Sequence, residues 1–326
     1  MKSIAFFNNK GGVGKTTLLC NVAAYFSIHL RKSVCVVDAD PQCNATQYFF
    51  SDHVVEELYS KKSSFTINSI IEPLSSGEGY SDKIKVEKAP RFGVDVLIGD
   101  PKLALTEDLL ARDWGDAKAG EIRGIRTSLV FSELLSKLDN YDFVFFDVSP
   151  SLGAINRSIL LSADYFVSPM SIDIFSLKAF ENISSWIDDW SQDWVRGIAN
   201  TRDKSKIPNL KYGKADFLGY VTQQYLAKRD ATGQRRAVLA YETIRSQIDA
   251  IIRKHNLAEN FGSKIFEIGT VPNLFSLIPM SQSNHVPVFG LSAADGVVGA
   301  HFTKVKESKE IFGAVAEEIL SRVQHD

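Results

Sequence analysis

A glycine-rich turn between an apolar run and a helical pattern dominates the start of this chain. The turn, Lys10-Gly11-Gly12-Val13-Gly14-Lys15-Thr16-Thr17, follows Ile4-Ala5-Phe6-Phe7 and precedes apolar residues at helical spacing. Glycines adopt backbone angles closed to other residues, so successive N–H groups of such a turn can point at one anion. A helix that begins here adds the positive end of its dipole. The pattern predicts a phosphate-chain site at residues 11–17, with Lys15 on the β- and γ-phosphates and Thr16 on Mg²⁺.

Two later apolar runs end in aspartates. Val34-Cys35-Val36-Val37 leads into Asp38 and Asp40, and Phe143-Val144-Phe145-Phe146 leads into Asp147. Parallel strands of α/β sheets bring their carboxyl ends to one edge, where ligands bind. We therefore expect the three aspartates close to the phosphates. The alternative is that they cap the turns that follow their strands.

The turn also departs from the strict phosphate-loop pattern. Asn9 stands where that pattern has glycine, and a second lysine, Lys10, lies beside the paired glycines. This variant resembles the deviant Walker A loop of the ParA/MinD family of dimeric ATPases. The segments 38–42 and 143–153 resemble the family's second signature and its Walker B strand with the switch loop. The resemblance runs from about residue 2 to about residue 320, with insertions.

Membership of this family would imply a Mg²⁺-dependent ATPase that forms a homodimer around ATP. Lys10 would reach the partner's nucleotide and act in catalysis with Lys15, while Asp40 would orient the attacking water. Mg²⁺ prefers one or two carboxylates plus phosphate oxygens and water, so not every aspartate can be a direct ligand. With Thr16, Asp147 is expected to hold the metal through water, and Asp38 to support it. For Lys10, the alternative is a solvated loop lysine.

The resemblance also implies an adenine site and marks two departures. Gln223, Pro272 and Asn273 are expected to line the base pocket. Cys43 stands where the family usually has glycine, and Ser149 where proline is common. Both departures lie in switch segments, so they bear on turnover and switching more than on nucleotide binding.

Charge is unevenly distributed along the chain. The formal net charge is −2, yet residues 201–260 carry twelve basic and six acidic side chains. Such asymmetry indicates an anionic partner. Relatives that segregate DNA bind duplex nonspecifically through a basic surface, and the candidates for such contacts are Lys228, Arg229, Arg235, Arg236 and Arg245. An ordinary solvated charge run is the open alternative.

Several classes of protein are disfavoured. The three cysteines, Cys20, Cys35 and Cys43, lack metal-ligand spacing, and no later cysteine could hold the intersubunit iron–sulfur cluster of nitrogenase-type relatives. No apolar stretch approaches the ~20 residues that span a bilayer, and Met1-Lys2 leads directly into the first strand. We therefore expect a cytoplasmic protein without membrane insertion. No helix-turn-helix module precedes the first strand, so site-specific DNA reading is not expected.

Strand and helix patterns alternate along the chain, which favours a mostly parallel, twisted sheet with helices on both faces. This is the three-layer P-loop NTPase fold that the resemblance implies. Strands are predicted at 3–7, 33–38, 94–98, 142–147, 164–169, 216–222, 264–268 and 286–289. Helices are predicted at 15–30, 101–112, 124–139, 154–162, 173–195, 236–256 and 298–323.

We expect residues 1–326 to form a single domain, with insertions near 51–91 and 191–215. A tryptophan stripe (Trp186, Trp190 and Trp194) recurs every four residues, and core packing is its expected role. A partner-docking face is the alternative for the stripe.

The function expected from the resemblance is DNA partitioning. An ATP-dependent homodimer would bind DNA nonspecifically, and an adaptor protein would stimulate slow hydrolysis. The alternative is that the ATPase positions or regulates a protein complex rather than DNA. A metabolic ligase or metal-insertion ATPase on the same sheet is a third possibility, against which the accessory segments argue.

Overall fold

The structure of the chain is a computed structural model. It describes residues 1–60, 64–207, 213–225, 228–229, 235–236, 239–255, 257 and 265–324. Part of the insertion expected at 191–215 therefore lies outside the described residues. The same applies to residues 237, 238 and 256 of the helix predicted at 236–256, to residue 264 of the strand predicted at 264–268, and to residues 61–63 of the insertion expected near 51–91.

The strands within these residues are short and mostly buried. They are β1 (Lys2–Phe6), β2 (Val34–Ala39), β3 (Glu87–Ala89), β4 (Val94–Leu97), β5 (Phe143–Val148), β6 (Tyr165–Met170), β7 (Asp216–Tyr225), β8 (Lys228–Arg229), β9 (Arg235–Arg236) and β10 (Glu267–Pro272). Eight of them form one sheet in the order β10-β7-β6-β1-β5-β2-β4-β3, and β8 pairs with β9 in a separate ribbon. Neighbouring strands of the large sheet are parallel, except for β3 against β4.

Helices cover both faces of this sheet. They are α1 (Lys15–Ile28), α2 (Asn44–Phe49), α3 (Asp52–Ser60), α4 (Asn68–Ser75), α5 (Leu103–Ala119), α6 (Ile122–Ser128), α7 (Val130–Lys137), α8 (Ala154–Ser162), α9 (Ile174–Asn200), α10 (Leu239–Lys254), α11 (Leu277–Ser283) and α12 (His301–Gln324). The predicted α/β fold with a mostly parallel sheet is thus confirmed.

Side chains of β1 alternate between two hydrophobic cores, as the two-residue period of a strand requires. Ile4 and Phe6 pack in the core that α1, α2, α11 and α12 share, whereas Ala5 and Phe7 pack in the core under α5, α7, α8 and α9. Burial on both faces explains why the strands read as continuous apolar runs. The sheet therefore holds the loops at its carboxyl edge between two rigid layers.

Two predicted strands near the C-terminus needed correction. Residues 286–289, predicted as the last strand, instead contain a short 3₁₀ turn at Val288–Gly290. Its first amide is bound by α1, since Val288 N donates to Asn21 Oδ1 at 2.7 Å. The strand predicted at 264–268 lies instead at Glu267–Pro272, because β10 pairs with the extended β7.

The insertion near 191–215 stays a prediction, but residues 191–200 of that segment are helical. Residues 191–200 continue α9, and Trp194 and Ile198 are buried there rather than exposed. Trp194 stacks on Trp114 of α5, with ring centroids 6.1 Å apart. Core packing is thus confirmed for Trp190 and Trp194, whereas Trp186 remains 44% exposed.

Candidate functional site

The glycine-rich turn joins β1 to α1 and has the predicted geometry. Gly12 and Gly14 have φ angles of 73° and 81°, in the left-handed region that favours glycine. Helix α1 begins at Lys15, with Gly14 at its N-cap, and no side chain caps it. Residues 10–17 line a cleft of about 650 Å³. A helix N-terminus that opens into a cleft in this way can bind an anion.

Lys15 is held by the aspartate that ends β5. Its Nζ atom lies 2.6 Å from Asp147 Oδ1, and both side chains are buried, at 7% and 0% exposure. Thr16 Oγ1 donates to the other oxygen, Asp147 Oδ2, at 2.7 Å. The lysine predicted to bind phosphate and the hydroxyl predicted to bind the metal thus both contact the predicted Walker B carboxylate. A bound Mg²⁺–phosphate complex could use the same three groups. The Lys15 ammonium could contact phosphate oxygens, and the Thr16 hydroxyl and the Asp147 carboxylate could hold the metal.

Asp38 lies fully buried beside them on β2, but its oxygens are bonded elsewhere. Thr46 N and Thr46 Oγ1 donate to Asp38 Oδ2 at 2.8 and 2.7 Å, so Asp38 caps the first turn of α2. Burial, followed by the charge of Asp147, raises the pKa of Asp38 to about 7. This geometry favours the capping alternative for Asp38, and its metal role stays a prediction.

Asp40 faces the cleft. It lines the same cavity as residues 10–17 and is 2% exposed. Oδ1 accepts a hydrogen bond from Gln42 N at 3.0 Å, and burial raises the pKa of the carboxyl. The next turn contains the departure at Cys43, whose φ of 54° is left-handed. Glycine is unstrained in that region, which explains the family's preference at this position.

Lys10 is bound within its own chain. Its Nζ lies 2.6 Å from Asp173 Oδ2 and 3.1 Å from Ser176 Oγ, both at the start of α9. The two charged side chains are 31% and 37% exposed. Asp173 also caps α9 by accepting from Ser176 N. Asp173 was missed by the sequence reasoning, because only the helix start, and not its pairing with Lys10, leaves a local signal.

Two further side chains organise the switch loop, and neither was predicted, because no local pattern marks them. Asn156 Nδ2 donates to the carbonyl oxygens of Ser149 and Ser151, at 2.8 and 2.7 Å. Glu107 on α5 accepts from the backbone N–H groups of Ala154 and Ile155, at the start of α8. The loop that follows Asp147 is therefore fixed at both ends by side chains from α5 and α8.

A second cavity of about 320 Å³ adjoins the phosphate cleft, and Gly14 and Thr17 line both. The predicted base-site residues Gln223, Pro272 and Asn273 all line it. Gln223 is 6% exposed, and its Nε2 finds no hydrogen-bond partner among the described residues. An unpaired buried donor is costly, so this cavity fits a ligand that carries an acceptor.

The candidate DNA-binding residues lie near the carboxyl end of β7. The β8–β9 ribbon pairs Lys228 with Arg236 and Arg229 with Arg235. Arg245 on α10 lies instead 2.6 Å from Glu267 Oε2. Other cations of the basic segment also pair, since Lys206 and Lys214 contact Asp203 and Asp188, at 3.6 and 2.9 Å. Part of the positive excess is therefore neutralised by neighbouring acids.

Groups of three or more His, Cys, Asp or Glu that could hold a metal are absent from the described residues. Across the part of the chain that the structure describes, the helices lack the length and apolar character needed to cross a bilayer.

Comparison with known proteins gives a family match and several relatives. The model of the AAA domain family AAA_31 matches residues 1–198. A virulence plasmid ParA family protein of Chlamydia psittaci is 30% identical over 57% of this chain and 63% of its own length. The chromosome-partitioning ATPase Soj of Thermus thermophilus is 26% identical over 99% of this chain and 97% of its own. The aligned region thus spans less than two thirds of the Chlamydia relative.

Solved structures share the fold. A Corynebacterium diphtheriae protein has a TM-score of 0.73 and 33% identity, over 87% of this chain and 97% of that one. A putative plasmid partition protein of Borrelia burgdorferi, bound to AMPPNP, has a TM-score of 0.61 over 98% of both chains. Its identity is 17%, so that likeness concerns the fold alone.

Proposed function

We propose that this chain, which belongs to the AAA_31 family of ParA/MinD-type P-loop ATPases, is an ATP-driven dimerisation switch for DNA partitioning. ATP would bind at residues 11–17, and two copies would associate around two nucleotides. Hydrolysis would be slow and would be stimulated by an adaptor protein. Relatives named as partition ATPases support this proposal. The proposal also includes nonspecific binding to DNA and a cytoplasmic location.

The observation that carries the proposal is the arrangement of Gly12, Gly14 and Lys15 at an uncapped helix start. A triphosphate there would receive backbone N–H groups and the Lys15 ammonium. Thr16 and Asp147 would hold Mg²⁺, which would neutralise charge on the phosphate oxygens. Asp40 lines the same cleft, where it would orient the attacking water. Phosphoryl transfer depends mainly on positioning and electrostatics, so no strong base is required.

Lys10 supports the dimer part of the proposal. Its ion pair with Asp173 is about one third exposed, and such pairs contribute about 0–1 kcal/mol. Leaving Asp173 to reach a partner's nucleotide would therefore cost little. Release of Lys10 from Asp173 also fits a switch between two states. ATP shifts such an equilibrium when its contacts with one state are more favourable than those with the other.

Titration calorimetry with ATP and Mg²⁺ tests nucleotide binding. We expect binding by the wild type and its loss in Lys15→Ala, which removes the ammonium but leaves the glycines in place. The matched control is Lys178→Ala, because Lys178 is an exposed lysine of α9 paired with Glu181. Equal binding by wild type and Lys15→Ala would contradict the proposed site.

Gel-shift binding to random duplex DNA with ATP and Mg²⁺ tests the choice of cargo. Phosphate contacts predict binding at low salt that weakens steeply as salt rises. Replacing Arg235 and Arg236 of the β8–β9 ribbon by Ala should weaken it, whereas Lys85→Ala, on another surface, should not. No binding at low salt would reject the DNA part. The alternative, in which the switch positions or regulates a protein complex, would then remain.

A further inference from the structure

Phe275 adopts an unusual conformation at the second cavity. It lines that cavity together with Gly14 and Gln223, yet its side chain is 61% exposed. Its φ of 46° is left-handed, a region that bulky residues rarely enter because it strains their backbone. A strained, exposed aromatic ring at the edge of a cavity calls for a functional explanation.

Asn273 holds Phe275 in this position. Asn273 Oδ1 accepts a hydrogen bond from Phe275 N at 2.8 Å, which forms a turn through the side chain. One lone pair of that oxygen is therefore already in use, and one remains for a further donor. Asn273 therefore shapes this loop and also lines the cavity, and its contact with the base stays a prediction.

The cleft offers two directions in which a base could lie from the phosphate site. One extends past polar residues, namely Asn44, Gln47, Asp52, Gln282 and Ser283. The other is the second cavity, where apolar side chains predominate: Val271, Pro272, Leu274, Ile278 and Phe312. A purine has wide apolar faces and polar edges, and small-molecule sites match this with apolar walls and a few polar groups. The second cavity fits the base better, because Gln223 supplies one unpaired donor.

We propose that Phe275 stacks on the purine of bound ATP and closes the second cavity over it, while Gln223 Nε2 donates to an acceptor on the base edge. This inference rests on the proposed ATP site and adds to it a residue that determines base affinity. Lys304 Nζ lies 5.9 Å from the Phe275 ring centroid, so one ring face already has a cation nearby and the other can take the base. The left-handed backbone at Phe275 then has a physical reason, because this turn presents the ring to the second cavity, where the base would lie.

The test compares ATP with inorganic tripolyphosphate, which has the phosphates but no base. Affinities in the presence of Mg²⁺ would be measured by calorimetry for wild type, Phe275→Leu, Phe275→Gly and the control Phe302→Leu. Phe302 is also a half-exposed aromatic residue, but it does not line the cavity. Phe275→Leu should weaken ATP about threefold to tenfold, as the loss of one aromatic pair predicts, and leave tripolyphosphate unchanged.

Phe275→Gly separates stacking from fold stability. Glycine relieves the left-handed strain, so the thermal midpoint should hold or rise while ATP affinity falls at least as far as in Phe275→Leu. Unchanged ATP affinity in both variants, or an equal loss for tripolyphosphate, would overturn the stacking role and leave the ATP site standing. Failure of the wild type to bind either ligand would overturn the proposed function together with this inference.

Discussion

At the scale of single residues, the phosphate loop and its acidic neighbours were predictable because each motif is local. Residues 10–17 carry their own chemistry, and Asp147 follows a short apolar run that is typical of a buried strand. The partners of these residues were not predictable. Lys10 contacts Asp173, 163 positions later, and no short-range pattern encodes such a pairing. Phe275 was missed for a related reason, since a left-handed turn at a bulky residue has no sequence signature.

The buried pair of Lys15 and Asp147 gives a prediction for the nucleotide-free protein. Lys15→Met leaves an uncompensated buried carboxylate, so the free energy of unfolding should fall by about 3–5 kcal/mol. Adding Asp147→Asn removes that charge, and the double variant should recover most of the loss. Urea denaturation without nucleotide measures both. A double variant no more stable than Lys15→Met would show that the two charges do not depend on each other.

Lys10 gives a second prediction at this scale, which depends on the proposed dimer. Lys10→Ala should bind ATP nearly as well as the wild type, because Lys15 and the backbone amides remain. Turnover should fall by about 10³-fold, the lower end of the effect of a cation supplied from a partner subunit. Steady-state phosphate release measures it, with Lys178→Ala as the control. Full turnover in Lys10→Ala would remove this lysine from the mechanism.

At the scale of elements, the sequence predicted which segments are helix or strand better than where they end. Helix α9 continues to Asn200 because Trp194 and Ile198 pack on α5, although the local sequence there is polar. The apolar residues at 286–289 form no strand, because α1 binds the amide of Val288. In both cases contacts between distant segments override local preference.

The close packing of α5 on α9 depends on Gly197. A Cβ at this position would overlap the carbonyl oxygen of Ala117, so Gly197→Ala should lower the free energy of unfolding by about 1–3 kcal/mol. Gly115 on α5 is the matched control, since a Cβ there meets no atom within 4 Å. Gly115→Ala should therefore stabilise the protein by about 0.5–1 kcal/mol. Urea midpoints that shift in the same direction for both variants would contradict this packing.

At the scale of the whole molecule, one sheet brings together residues from distant parts of the chain. Strands β1, β2 and β5 are neighbours, so Lys15, Asp40 and Asp147 converge where these strands end. This convergence was predictable, because parallel strands present their carboxyl ends at one edge. The single-domain organisation stays a prediction. The dimer and the DNA contacts also stay predictions, because they depend on partners outside one chain.

The mass of the particle in solution tests the central claim most directly. Size-exclusion chromatography with light scattering would be run without nucleotide, with ADP, and with ATP and Mg²⁺, at a concentration where calorimetry shows the nucleotide bound. The proposed switch predicts the mass of one chain in the first two conditions and of two chains with ATP. Lys10→Ala should stay at one chain throughout. A wild-type particle that keeps the mass of one chain while ATP is bound would contradict the account.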